Sequence, residues 1–175
     1  MGGVPKGWKR GLLSELIVVN YGKDHKRVPD DGMIPVYGSG GFMRRCNKYL
    51  HDGESVLIPR KGSLNNIMYV NEQFWTVDTM FYATPRKDNS MLFVYFLLKG
   101  FDMYSMNIGA AVPSMTTKIL DAMEVLIPDA ELMKCYDKTA LVNYEKIGIL
   151  RAQNEKLREV RDRLLPKLMS GEIEV

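Results

Sequence analysis

Over residues 131–168 the side chains repeat with a period that only a helix sustains. With Ala140, Ile147, Asn154, Arg161 and Leu168 at the first position of a seven-residue repeat, Asn143, Leu150, Leu157 and Leu164 fall at the fourth. The last third of the chain is therefore expected to be one helix of about 38 residues, about 57 Å long. A helix of that length has no core of its own, so its seam needs a partner helix or the flank of another domain. A partner helix forming a coiled coil suits the repeat better, and a helix folded back on its own domain is the alternative. Asn143 and Asn154 cost stability in such a seam but fix register and orientation, while Gly148 is a local weakness of about 1 kcal/mol. Pro128 and Asp129 suit a helix start, the aspartate as a cap. Pro166 predicts an end or kink near Leu165, with Gly171 as a cap one turn later, which puts Leu168 at the margin of the seam. The tail, 172–175, alternates polar and apolar residues and either docks as a short strand or frays.

What precedes the helix is long enough to fold alone. The 175 residues are 46% hydrophobic and 26% charged, ordinary globular values. No apolar run approaches the roughly 20 residues of a membrane span, and residues 1–16 lack the apolar core of a secretory signal, so a cytoplasmic protein is expected. Cys46 and Cys135 have no framework spacing and read as reduced thiols. The fold class is α+β: a mixed, curved, β-rich domain over 1–128, then a helix with a short tail over 129–175. Residues 8–19 leave helix and strand unresolved and lean towards a short helix followed by a strand. A brief apolar element precedes the glycine loop at 38–41. Strands are expected at 55–59, 66–70, 74–84 and 123–127, and a buried helix at 90–100. In the third strand Phe74, Trp75, Phe81 and Tyr82 read as core.

Charge divides unevenly. Residues 1–128 carry 15 Lys+Arg against 12 Asp+Glu, whereas residues 129–175 carry 9 against 9. This mild excess permits nucleic acid without demanding it. Phosphate contacts favour Lys, Arg and small donors on loops, and base readout favours Arg on guanine and Asn or Gln on adenine. Four clusters qualify: Arg44, Arg45 and Lys48 after the glycine loop; Arg60 and Lys61; Asn65 and Asn66; and Ser114, Thr116, Thr117 and Lys118. Plain surface solvation explains any one of them equally well, and Ser63, Ser114 and Thr117 read as structural first. Catalytic signals are weak. There is no Pro-Pro pair of the kind adenine methyltransferases use to hold a flipped base. Pro29-Asp30 and Pro128-Asp129 lack a downstream Glu-x-Lys, and His25 and His51 have no metal spacing and read as surface or loop residues. The glycine cluster at 38–41 lacks the strand, loop and helix context of a cofactor loop and reads as a tight turn.

In order along the chain stand Trp8-Lys9, Arg60-Lys61-Gly62-Ser63-Leu64-Asn65-Asn66, Phe74-Trp75-Thr76-Val77-Asp78-Thr79, Ala111-Val112-Pro113-Ser114-Met115-Thr116-Thr117, and, closing the helix, Arg161-Asp162-Arg163-Leu164-Leu165-Pro166-Lys167-Leu168-Met169-Ser170-Gly171. This succession resembles type I restriction-modification specificity subunits. The resemblance implies a target-recognition domain that binds double-stranded DNA, followed by a conserved spacer helix. Complete subunits of that family hold two of each, with the helices antiparallel and the domains reading the halves of a bipartite site. This chain holds one of each and so looks like a half subunit whose homodimer reads a symmetric site. The resemblance further implies a non-catalytic chain with no cofactor of its own. Its partners would be a methyltransferase subunit using S-adenosylmethionine and a restriction subunit using ATP and Mg. The chain departs from many relatives at Asp129-Ala130-Glu131-Leu132, where they carry a Glu-Gln pair. Two other readings stay open: a coiled-coil scaffold or regulatory protein without DNA recognition, and a self-sufficient enzyme with an unrecognised site.

Overall fold

The structure, a computed structural model, describes residues 3–106 and 114–173. It divides into two compact units, Met1–Asp137 and Lys138–Val175.

The first unit is built on a six-stranded sheet. Its strands are β2 (Ile17–Tyr21), β3 (Ile34–Gly38), β4 (Gly41–Cys46), β5 (His51–Pro59), β6 (Met68–Thr76) and β7 (Met80–Pro85), ordered β2-β7-β5-β6-β3-β4. All pairings are antiparallel except β3 with β6, where Val36 and Tyr37 lie beside Trp75 and Thr76 in parallel. Val56, Leu57 and Ile58 are fully buried in succession, which requires cover on both faces of this central strand. Leu57 joins Val36, Phe74 and Met80 in one cluster. Helix α1 (Met91–Lys99) packs against β5 and β6 through an unbroken apolar run that buries Met91, Leu92, Phe93, Val94, Tyr95 and Leu98. Burying each such side chain contributes about 1.5 to 3 kcal/mol, and Gly100 ends the helix as expected.

The sheet-rich architecture and the long helix agree with the sequence reading, but four local expectations are corrected. Residues 8–19 begin with a strand rather than a helix: β1 (Trp8–Leu12) pairs antiparallel with β8 (Glu124–Pro128), a short 3-10 turn over Leu13–Glu15 follows, and β2 comes after it. The pairing lies at the far end of the domain's sequence, where local pattern has no view. The break expected between strands at 66–70 and 74–84 falls later: residues 68–76 are one strand, β6, and the chain turns at Val77-Asp78-Thr79 before β7, the Met80 amide bonding back to the Val77 carbonyl at 3.0 Å. Strand β4 and the short helix α2 (Thr117–Asp121) were not anticipated. His51 is not a loop residue: it opens β5, half-buried against the rings of Phe74 and Tyr82.

The long helix, α3, runs Ala130–Met169. Asp129 caps it as expected, its Oδ1 accepting from the Leu132 amide at 2.9 Å, while its own amide bonds the Gly7 carbonyl at 2.7 Å. Pro166 does not end the helix. It sits in the last exposed turn, where water can serve the carbonyl it leaves unpaired, and the helix closes at Gly171 (φ +74°), with the Glu172 amide reaching the Lys167 carbonyl at 2.9 Å. Glu174 and Val175 lie outside the described residues. Among the described residues no helix is long and apolar enough to cross a membrane.

Candidate nucleic-acid interface

Strand β5 ends at Pro59 and delivers Arg60 and Lys61 into a loop whose backbone is held from three sides. Their amides both bond the Thr79 carbonyl, at 2.9 and 3.2 Å, and the Arg60 carbonyl accepts from the Met115 amide at 2.9 Å. Gly62 takes φ +83° against Ser39, a conformation and a closeness that a side chain would disturb. Leu64 is fully buried and anchors the loop from below. The Tyr104 hydroxyl donates to the Gly62 carbonyl at 2.9 Å and accepts from the Leu64 amide at 3.2 Å. Together these contacts gather the glycine loop, the 60–66 loop, residues 102–104 and residues 115–116 at one place.

On this frame the predicted residues separate by use. The Asn65 carboxamide bonds Asp102 Oδ1 at 3.0 Å and the Met103 amide at 2.8 Å, and Asn66 Nδ2 bonds the Ser39 carbonyl at 2.9 Å. Both asparagines hold loops together. The Arg60 guanidinium lies 5.7 Å from the Tyr21 ring centroid, with Nη1 donating to the Asp78 carbonyl at 3.4 Å, and it remains half-exposed. Lys61 is exposed, and its ammonium meets no acceptor among the described residues. Thr116 caps α2, accepting from the Ile119 amide at 3.3 Å, and Lys118 is exposed two residues on. Ala111, Val112 and Pro113, part of the motif quoted above, lie outside the described residues.

Arg44, Arg45 and Lys48 do not join this cluster. They lie on and beyond β4 as it leaves the Ser39-Gly40 turn, with Arg45 about 13 Å along the strand from Gly41. Arg44 is a clamp: its guanidinium donates to the carbonyls of His25 (2.6 Å) and Val28 (3.0 Å) and to His25 Nδ1 (3.3 Å), closing the 25–28 loop. Arg45 bonds the Met33 carbonyl at 2.5 Å and lies over Phe42, whereas Lys48 is exposed. The sequence reading missed Tyr21, Ser39 and Tyr104. Only the aromatic character of Tyr21 and Tyr104 could have flagged them, since apolar patterning assigns such rings to the core. A cavity of about 730 Å³ lies elsewhere in the first unit, between Trp8, Arg86, Lys87, Ile127 and Met133, and its lining mixes both signs of charge.

Three carboxylates among the described residues depart from their usual range: Asp24 is lowered by the hydrogen bond it takes from the Lys26 amide, and Glu15 and Asp137 move in opposite directions. A hydrogen bond from Lys9 at 2.6 Å lowers Glu15, which also takes the Leu12 amide at 3.1 Å. Burial, and then the nearby charge of Glu54, raises Asp137, whose Oδ1 is buried without a hydrogen-bond partner.

The predicted seam residues lie along α3. Ile147, Leu150, Leu157 and Leu164 are exposed, at 37, 48, 66 and 42%, as are Asn143, Asn154 and Arg161, whose guanidinium pairs with Asp162 at 2.7 Å. Ala140 differs, being 6% exposed and so already covered within the single chain.

A sheet-built domain that bears a basic loop cluster is followed along the chain by a 40-residue helix. Residues 5–155 match the family described as Type I restriction modification DNA specificity domain. The chain belongs to that family. It is 24% identical to the Type I restriction enzyme HindI specificity subunit of Haemophilus influenzae, over 97% of this chain and 42% of that one. Its fold is similar to the crystal structure of the type I restriction-modification S subunit from M. genitalium (TM-score 0.80, 21% identity, 93% of this chain, 46% of that one). It is also similar to the HsdS subunit from Thermoanaerobacter tengcongensis (TM-score 0.60, 19% identity, 98% and 47%). The chain thus spans less than half the length of the relatives it matches.

Proposed function

We propose that this chain is a DNA specificity subunit carrying one target-recognition domain, which reads half of a bipartite site on double-stranded DNA. The observation that carries this reading is the gathering of Arg60, Lys61, Thr116 and Lys118 around one braced loop cluster in a member of this family. Lys61 and Lys118 reach phosphates, and Arg60, already oriented by Tyr21, reaches a phosphate or a guanine edge. Asn65 and Asn66 support these contacts by fixing the loop, and Arg45 and Lys48 extend the basic surface along β4. Two copies joined through α3, by Ile147, Leu150, Leu157 and Leu164, rebuild the two-headed arrangement and read a symmetric site. The chain itself performs no chemistry. It acts in the cytoplasm by bringing to the site a methyltransferase subunit, which uses S-adenosylmethionine, and a restriction subunit, which uses ATP and Mg.

The test is a salt titration of duplex binding by the purified chain. Binding falls linearly in log-log form, and Arg60→Ala with Lys61→Ala flattens the slope by about 1 to 2 per head, about one for each lost phosphate contact. Binding that ignores salt, or a slope that the double variant leaves unchanged, contradicts the assignment. No duplex binding at all supports a protein-binding scaffold instead.

A further inference from the structure

Between β2 and β3 the chain runs across the sheet in a segment, residues 22–29, whose backbone is fixed along its length. We infer that this segment is a strap that contacts the phosphate backbone of the bound duplex through Lys23, Lys26 and Arg27, and that Arg44 is the residue positioning it. The inference rests on the DNA-binding reading above and adds to it three contacts outside the clusters that residue type singled out.

Strand β3 pairs with both β6 and β4, so Trp75, Val36 and Arg44 stand side by side on three strands and share one face. Residues 22–29 cross this row. The Trp75 indole Nε1 donates to the Lys23 carbonyl at 3.0 Å, and the Arg44 guanidinium donates to the carbonyls of His25 and Val28 at 2.6 and 3.0 Å. The Val28 side chain packs against the core cluster that holds Val36 and Trp75. Three carbonyls and one apolar side chain of the segment are thus committed to the sheet. The amides are occupied too: Lys23 bonds the Thr76 carbonyl at 2.9 Å, Lys26 the Asp24 carboxylate at 3.0 Å and Val28 the His25 carbonyl at 3.1 Å. Arginine suits the position of Arg44 because its planar fork presents several donors in a fixed geometry, which an ammonium does not.

What the segment turns outward is cationic. Lys23, Lys26 and Arg27 are exposed, and none of the three side chains makes a hydrogen bond or ion pair among the described residues. Over residues 22–29 three cations stand against one acid, Asp24, a net of +2 with His25 neutral, and the Lys26 amide already occupies that carboxylate. Of the two acids that follow, Asp31 accepts from Asn47 Nδ2 at 2.7 Å and Asp30 is exposed. The strap is also continuous with the basic loop. The Gly22 amide bonds the Met80 carbonyl at 3.0 Å and the Lys23 amide bonds Thr76, on either side of the turn whose Thr79 carbonyl holds the amides of Arg60 and Lys61. Tyr21, the residue before the strap, carries the Arg60 guanidinium against its ring. A single turn therefore ties both groups of cations to one frame. An extended set of cations on fixed backbone matches a polyanion with a charge about every 1.7 Å better than it matches an isolated anion. Fixing the backbone beforehand also lowers the ordering cost of binding.

Binding of a mixed-sequence duplex by the full chain over a series of salt concentrations tests the strap. Lys23→Gln, Lys26→Gln and Arg27→Gln together should flatten the log-log slope by about 2 to 3 per head, about one for each lost phosphate contact. The melting temperature should stay within about 2 °C of the parent, because all three side chains are exposed. Lys87→Gln, Lys99→Gln and Lys134→Gln remove the same charge from exposed positions elsewhere and should change the slope by less than about 1. Arg44→Lys keeps the charge but loses the fork. It should leave the slope unchanged, weaken duplex binding about 2- to 10-fold and speed amide exchange at Val28. A strap variant that keeps the parental slope, or a control triple that flattens it as much, overturns the strap while leaving DNA binding standing. An Arg44→Lys variant that binds as the parent does overturns the positioning role. A parent that binds no duplex overturns the DNA-binding reading and the strap with it.

Discussion

Removing one oxygen tests whether the basic loop is braced as described. Tyr104→Phe keeps the ring and deletes the hydroxyl that donates to the Gly62 carbonyl at 2.9 Å and accepts from the Leu64 amide at 3.2 Å. Each such bond contributes about 0.5 to 1.5 kcal/mol net. Tyr104 is 44% exposed, so water takes over part of the loss, and the Leu64 amide keeps its 2.9 Å contact to the Gly62 carbonyl. The expected cost is about 1 to 2 kcal/mol. At about 2 to 4 °C per kcal/mol for a chain of this size, the melting temperature should fall by about 2 to 8 °C. If opening of the loop is the local event affected, amide exchange at Leu64 and Asn66 should accelerate about 5- to 30-fold while that of α1 changes less. Duplex affinity should fall with it, because Arg60 and Lys61 then lose their fixed placement. Unchanged melting together with unchanged exchange at Leu64 would show that the hydroxyl braces nothing, and the preorganised interface would lose its support.

Leu150→Glu with Leu157→Glu puts charge into the exposed seam and should convert a dimer to a monomer in sedimentation while leaving the melting of the head unchanged; a dimer that survives the pair moves the interface off this face. Asp137→Asn should raise the melting temperature at neutral pH. Burial and Glu54 raise the Asp137 carboxyl in the folded state, so the folded chain favours its protonated form, and stability is lost as pH rises through that raised value. The gain should shrink as the pH falls through that raised value, where the wild-type carboxyl takes up its proton; a gain independent of pH, or a loss at neutral pH, would refute it.

The parts of this protein that sequence displays are those whose causes are local. The period of α3 and the apolar run of α1 each specify an element without reference to the rest of the chain. Strand β1 needs β8 beside it, and nothing between Trp8 and Leu12 announces a partner at the other end of the domain. The turn at Val77-Asp78-Thr79 contains neither glycine nor proline, whereas the polar Asn71-Glu72-Gln73 within β6 looks like a break, so the boundary between the two strands is read too early. The candidate interface divides in the same way. The placement of Arg60 and Lys61 on a loop is legible because a strand ends at Pro59. The roles of Arg44, Asn65 and Asn66 were not, because residue type tells that a side chain can donate and not whether a carbonyl of the same fold waits for it. Ala140 fits the heptad equally well on paper, yet the chain covers it by itself.

The most direct test of the central claim is to co-express this chain, as the only specificity chain, with the methyltransferase subunit of its own system and map methylated adenines across the host genome. The account predicts one bipartite motif whose two halves are related by inversion, because one kind of head reads both. Absence of methylation in the presence of an active methyltransferase subunit, or a motif with two unrelated halves, would contradict it.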